Sequence, residues 1–249
     1  MAWKLAEMTW PAVESKLAET GLVVVPTASL EQHGPHLPLS VDTIRADVLG
    51  AGIASELDCF LAPTIRPGLS AHHMAFPGTI TLDETTFKHV VAGYCESLDE
   101  HGFTDVALLT THGGNTDALE AVATTLDDRL DAHVFVAGTR AGLMAVRETT
   151  MEGFGVTAEE AGAHAGAAET AFVLQTNPEL VEPTDGATGY LGAFTKEDVA
   201  TGVETLSENG VLGDPERATI EQGRELIDAS VAYFADEIRA AVSQPQEVS

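Results

Sequence analysis

Between residues 21 and 137, short apolar runs alternate with longer stretches of helical periodicity. GLVVVP at 21–26 is β-branched with no polar break, the pattern of a strand buried on both faces. Further strands are predicted at 60–63, 105–110 and 133–137. Between the first two, Ile44, Val48 and Ala51 recur at helical spacing with Leu49 and Ile53 flanking them, which predicts a helix over 42–57 that Asp42 can cap. Helices are also predicted over 84–100 and 116–130. Strands separated by helices of this length need crossover connections, and so a parallel sheet covered on both sides. The expected fold is α/β. Beyond residue 139 the pattern predicts helices over 141–149, 164–174 and 216–242, with the loop SENGVLGDP before the last. No repeat or linker interrupts the chain, so a single domain over 1–249 is expected, with the tail QPQEVS frayed.

The 249 residues carry 12 Lys plus Arg against 39 Asp plus Glu, a formal net charge of −27. Nucleic acids and anionic membrane surfaces are recognised by neutralising their phosphates, so neither is an expected partner. Hydrophobic residues make up 44% of the chain, enough for a core, so the charge does not imply disorder. The acids are spread along the whole length, as on a halophilic surface kept soluble in a salt-rich cytoplasm. No run approaches the roughly 18 apolar residues of a membrane helix. The first residues, MAWKLAEMTW, lack the apolar stretch of a signal peptide, and a cytoplasmic location is expected. Cys59 and Cys95 have no CxxC spacing and read as small buried hydrophobes.

In α/β sheets, ligands gather at the carboxyl ends of the strands. After the first strand come Glu31, Gln32, His33, Gly34, Pro35, His36 and then Asp42. Glu31 and His33 point to one side of extended chain, and Asp42 at the next helix start can meet them around one cation. After the strand at 105–110 come His112, Gly113, Gly114 and Asn115, which offer a third ligand and glycine amides at a helix mouth, where a substrate can be oriented. In HAGAAET, His164 and Glu169 lie about 140° apart on a helix, so both face one ion only if the helix begins between them. That makes Glu169 the ligand and places His164 nearer the substrate. His72 and His73, on the loop before 79, are candidates to line the site, with His73 among the substrate-binding residues. His89, His101 and His133 have no such context.

These strings resemble the creatininase family of metal-dependent amidohydrolases. SLEQHGPHLPLSVDT (29–43), THGGN (111–115) and HAGAAET (164–170) are similar to its three site motifs, and FPGTITL (76–82) and GVLGDP (210–215) agree with it. The resemblance implies a three-layer α/β/α sandwich with a mostly parallel central sheet, homo-oligomeric and often hexameric assembly, and hydrolysis of amide C–N bonds. It implies one or two divalent ions, zinc with manganese or iron, held by Glu31, His33, Asp42, His112 and Glu169, with Asp42 bridging. His164 and Glu31 are then the catalytic residues, His164 matching the histidine that transfers a proton to the leaving amine. Gly113, Gly114, Asn115 and His73 are left to meet a small-molecule amide or short peptide. Creatinine-hydrolysing members carry a Tyr-Glu pair where this chain has Gly113 and Gly114, the Glu being a further ligand. They also close tryptophans over the ring, whereas Trp3 and Trp10 are the only tryptophans here, so a substrate other than creatinine is expected. Within the family the alternatives are a formamide deformylase and a cofactor-precursor peptidase. Outside it stand a non-catalytic metal scaffold, which has no need of His164, and a phosphoesterase, for which Arg45 is the nearest cation to the first two motifs.

Overall fold

The computed structural model describes residues 2–243, so the QPQEVS tail lies outside the described residues. In chain order the elements are β1 (Trp3–Lys4), α1 (Trp10–Leu17), β2 (Leu22–Thr27), α2 (Val41–Glu56), β3 (Phe60–Leu61), α3 (Glu84–Glu100), β4 (Asp105–Thr110), α4 (Thr116–Asp127), β5 (His133–Val136), α5 (Arg140–Glu152), α6 (Ala158–Ala161), α7 (Ala167–Thr176), α8 (Lys196–Thr201) and α9 (Ile220–Val242). The sheet runs β1-β3-β2-β4-β5 and every pairing is parallel. β2 and β4 are in register from Leu22 opposite Asp105 to Thr27 opposite Thr110, so both strands deliver their following loops to the same sheet end.

Alternate side chains divide the core. Val23, Val25, Val106 and Leu108 pack with Phe87 and Val91 of α3 and Leu119 of α4. Val24, Ala107 and Leu109 face Leu49 and Ile53 of α2 and Phe234 and Ile238 of α9. Period-two alternation thus puts a helical layer on each face, the expected α/β/α arrangement. Each fully buried Leu, Ile or Phe contributes about 1.5–3 kcal/mol.

Several boundaries differ from the sequence expectation for local reasons. In α2 the buried stripe is Ala46, Leu49, Ile53 and Ala54, and Ile44, Val48 and Ala51 form its half-buried shoulder, because both the sheet and α9 press on this helix. Ser40 takes the cap position and Asp42 lies inside the first turn, which frees its carboxylate to face the sheet end. α9 begins at Ile220, where Thr219 and Gln222 form a reciprocal capping box; residues 215–217 are a separate 3-10 turn. α7 begins at Ala167 and so excludes His164. Cys59 and Cys95 are buried free thiols, and burial pushes both up to about 12.

Candidate metal centre and its cavity

The candidate ligands come from elements whose ends converge. Glu31 and His33 follow β2, Asp42 sits in the first turn of α2, His112 follows β4, and Glu169 is in the first turn of α7. The start of α7 falls between His164 and Glu169, the condition under which both can face one site. Glu31, His33, Asp42, His112 and His164 are all buried.

Glu31 is the hub. Its Oε1 lies 3.2 Å from His112 Nδ1, 3.3 Å from His73 Nε2 and 3.7 Å from His164 Nδ1, and its Oε2 accepts from Ser29 at 2.8 Å. Asp42 Oδ2 stands 3.5 Å from His112 Nδ1 and 3.9 Å from His33 Nε2. His33 Nε2 is 3.6 Å from Glu169 Oε2. Donor atoms of Glu31, Asp42 and His112, of His33, Asp42 and Glu169, and of Glu31, His33 and His164 each form a triad within 4.8 Å. Glu31, His72 and His73 form another.

The outer nitrogens of three rings are tied to backbone carbonyls. His33 Nδ1 donates to Glu31 O at 3.1 Å, His112 Nε2 to Leu69 O at 3.0 Å, and His164 Nε2 to Gln32 O at 2.7 Å. In the neutral ring the inward nitrogen is then a lone pair. Lone pairs held about 3–4 Å from carboxylates repel unless a proton or a cation lies between them. Asp42 Oδ2 is moreover buried with no hydrogen-bond partner. An all-nitrogen-and-oxygen donor set with an orphaned carboxylate oxygen fits a divalent ion such as zinc, manganese or iron. His73 is built differently. Its Nδ1 accepts from Gln32 Nε2 at 2.9 Å, which leaves a proton on the Nε2 that faces Glu31.

The electrostatics express the same conflict. Burial disfavours charge on His112, but Glu31 and Asp42 override it and raise its pKa well above the ordinary value. Burial pushes Glu31 up, and the surrounding His112, His73 and His164 hold it well below the carboxylate range. Asp42 is raised, first by burial and then by Glu31, against the nearby His112 and His33. Burial and His33 lower His164 to about 4. Burial raises Glu169, yet Arg45, His33 and His164 bring it down to about 2. Ala165, at φ 53°, holds an unfavourable left-handed backbone, and its N–H donates to Glu169 Oε2 at 2.7 Å.

A cavity of about 550 Å³ opens on this cluster. Gly113, Gly114, His72 and His73 line it. Asn115 is a correction. It is fully buried, with Nδ2 donating to Ala28 O at 2.9 Å and Oδ1 accepting from Leu69 N at 3.0 Å, so its amide is consumed in tying two loops together. Gln32 escaped the sequence reading although it stands between Glu31 and His33; its amide donates to His73 Nδ1 and Gly210 O, and its backbone O accepts from His164 Nε2. Arg140 and Arg147 of α5 also line the cavity, and nothing in an amphipathic helix signals that.

The creatininase family profile, described as creatinine amidohydrolase, matches residues 6–238. The mycofactocin precursor peptide peptidase of Mycolicibacterium smegmatis is 32% identical over 227 residues, covering 88% of this chain and 84% of that protein. Creatinine amidohydrolase of Pseudomonas putida is 25% identical over 256 residues, covering 94% and 95%. Among solved structures, a creatininase mutant of Zn-Zn type superposes with a TM-score of 0.76 at 23% identity over 98% of this chain and 100% of that one. The Mn form of creatininase gives 0.77 at 23% identity over the same shares; both structures speak to the fold. With its parallel sheet, its motifs and its full-length relatives in agreement, this chain belongs to the creatininase family of amidohydrolases.

Proposed function

We propose that the chain hydrolyses the amide C–N bond of a peptide or small-molecule substrate at a divalent cation held by Glu31, His33, Asp42, His112 and Glu169. The observation that carries this reading is the set of imidazole nitrogens of His33, His112 and His164 turned inward on the carboxylates of Glu31, Asp42 and Glu169, with Asp42 Oδ2 unpartnered. The chemistry such an ion supplies when bound is polarisation of the amide carbonyl and acidification of water toward a pKa of about 7. The protein's own groups do the rest. Glu31, 3.7 Å from His164 Nδ1, and His164, with Nε2 fixed by Gln32 O, are placed to take a proton from the attacking water. His164 is neutral near pH 7, since burial and His33 lower it to about 4, so its Nδ1 can receive that proton and pass it to the departing amine. Gly113, where an added Cβ would meet only Arg140 at 3.8 Å, leaves room for the chain of the substrate beside His112.

A peptide or open-chain amide is favoured over the creatinine ring. Neither Trp3 nor Trp10 lines the cavity, and Trp10 is 77% exposed. One relative that spans most of the chain is named for a peptide precursor. Homo-oligomeric, hexameric assembly and a salt-adapted surface belong to the same proposal, the latter supported by the net charge of −27. No helix among the described residues is long and apolar enough to cross a membrane.

The test is metal content by mass spectrometry beside a hydrolysis screen of creatinine, formamides and short peptides. One to two ions per chain with turnover of a peptide or formamide is expected. A metal-loaded protein that turns over no amide would overturn this reading in favour of the non-catalytic scaffold.

A further inference from the structure

The acid excess gives the few cations of this chain unusual meaning. Among the described residues every Lys and Arg other than Arg140 has a carboxylate oxygen within 4.0 Å. Arg140 has neither an ion pair nor a side-chain hydrogen bond. Arg147 is next in isolation. Its one carboxylate is that of its chain neighbour Glu148, at the 4.0 Å limit, and its Nε is buried without a partner. Burial disfavours its charge, as do Arg45 and Arg140, against the more distant pull of Glu169 and that of Glu148. With 39 acids against 12 bases, close pairing is the outcome expected by chance alone, so two guanidiniums with so little direct carboxylate contact demand a reason.

Both line the same cavity as the candidate metal centre, two helical turns apart on α5. The Arg140 guanidinium carbon lies 3.8 Å from where a Cβ on Gly113 would stand, one residue from His112. Arg45, the third arginine of this wall, is already used: it donates to Glu169 Oε1 at 2.6 Å and to Thr111 O at 3.1 Å. The cavity therefore presents two different ends, a carboxylate-and-imidazole cluster that suits a cation and two guanidiniums, Arg140 without an ion pair and Arg147 with one at the 4.0 Å limit, that suit an anion.

We infer that Arg140 and Arg147 bind a carboxylate of the substrate, so that the enzyme selects amides carrying a free acid group, such as the terminal carboxylate of a short peptide. This rests on the hydrolase reading of the metal centre. Guanidinium forks match a planar carboxylate with two parallel bonds. The positive wall also counters the repulsion that a surface of net charge −27 exerts on an anionic substrate.

The experiment uses the metal-loaded protein and a panel of N-formyl and N-acetyl dipeptides, each as the free acid and as its C-terminal carboxamide. Calorimetric affinity is measured for every pair, with hydrolysis read in parallel. The free acids are expected to bind at least tenfold more tightly than their carboxamides. Arg140→Gln, at an exposed position, should erase that preference with metal content unchanged. Arg147→Lys, which keeps the charge and guards against misfolding, should retain part of it, and Arg147→Gln should lose it. Equal affinity for acid and carboxamide overturns the inference, as does the failure of every acid to bind. A preference that survives both Gln variants overturns it too, because the acid would then be held by the metal. Turnover without acid preference removes this inference and leaves the hydrolase reading standing. Acid-selective, arginine-dependent binding without turnover does the reverse.

Discussion

Arg45 Nη1 lies 2.6 Å from Glu169 Oε1 and 3.6 Å from Asp42 Oδ1, so a single guanidinium orients carboxylates from two helices, α2 and α7. The relationship turns Arg45 Nη1 toward the protein's own carboxylates and Thr111 O, and so away from the phosphoester reading. It also makes Arg45 the support for two candidate ligands.

Arg45→Gln should therefore weaken metal binding by about 10–100-fold, the usual range for groups that orient ligands, although Arg45 is not itself a ligand. Competition with a chelator of known affinity reads this directly. Unchanged affinity would show that Ala165 N–H alone positions Glu169.

Asp42 carries a sharper prediction, of opposite sign in two states. In the metal-free protein its buried carboxylate faces Glu31 and has an oxygen with no partner. Asp42→Asn puts a donor where an acceptor faces acceptors. Relieving an unsatisfied buried group is worth about 1–3 kcal/mol, and roughly 2–4 °C of Tm accompanies each kcal/mol in a protein of this size. The apo variant should thus melt several degrees above apo wild type, while the rise in Tm on adding Zn2+ or Mn2+ should disappear. An apo variant less stable than wild type would mean that Asp42 has a different neutralising partner.

His164→Asn should retain metal and lose about 10²-fold or more in turnover on whichever amide the screen identifies. Gln32→Leu should lower turnover without touching a ligand, since the Gln32 amide donates to His73 Nδ1 and so keeps the His73 Nε2–H on Glu31. Wild-type turnover in His164→Asn would remove it from proton transfer.

These residues also mark where sequence reading succeeds and where it stops. The strands β2 and β4 are continuous β-branched or aliphatic runs, and their ends are locally defined, so Glu31, His33 and His112 could be placed at one sheet end before any coordinates. The wheel argument on HAGAAET worked because a helix start is a geometric condition on two residues five apart. Asn115 misled because its position at a helix mouth resembles that of a ligand, while its real partners, Ala28 and Leu69, are remote in sequence. Gln32 looked like a spacer, and its role exists only once residues 73, 164 and 210 have folded against it. Arg140 and Arg147 depend on how α5 leans on α9, which no local periodicity encodes. β1 is two residues long, too short for any pattern to show.

The acidic surface predicts a strong response to salt. Screening length falls from about 10 Å at 0.1 M to about 3 Å at 1 M, and self-repulsion across a net charge of −27 falls with it. The Tm should climb steadily as KCl is raised from 0.1 to 2 M, and more than in an uncharged osmolyte of equal osmolality. A Tm indifferent to KCl would discard the halophilic reading and leave the family assignment intact.

The adjacent glycines 113 and 114 should differ sharply in what they tolerate. A Cβ on Gly114 would run into His112 Nε2 and stand 2.5 Å from Leu69 O, the two atoms whose hydrogen bond fixes the His112 ring. Gly114→Ala must therefore displace His112 or break its bond, and metal affinity should fall by about 10-fold or more, as when an orienting partner is lost. A Cβ on Gly113 meets only Arg140, at 3.8 Å, an ordinary contact. Gly113→Ala should keep metal affinity within about twofold of wild type, since van der Waals contact at that distance carries no strain. Metal titrations of the two variants side by side check both statements. Equal losses would mean that backbone freedom at the turn matters more than the space around His112.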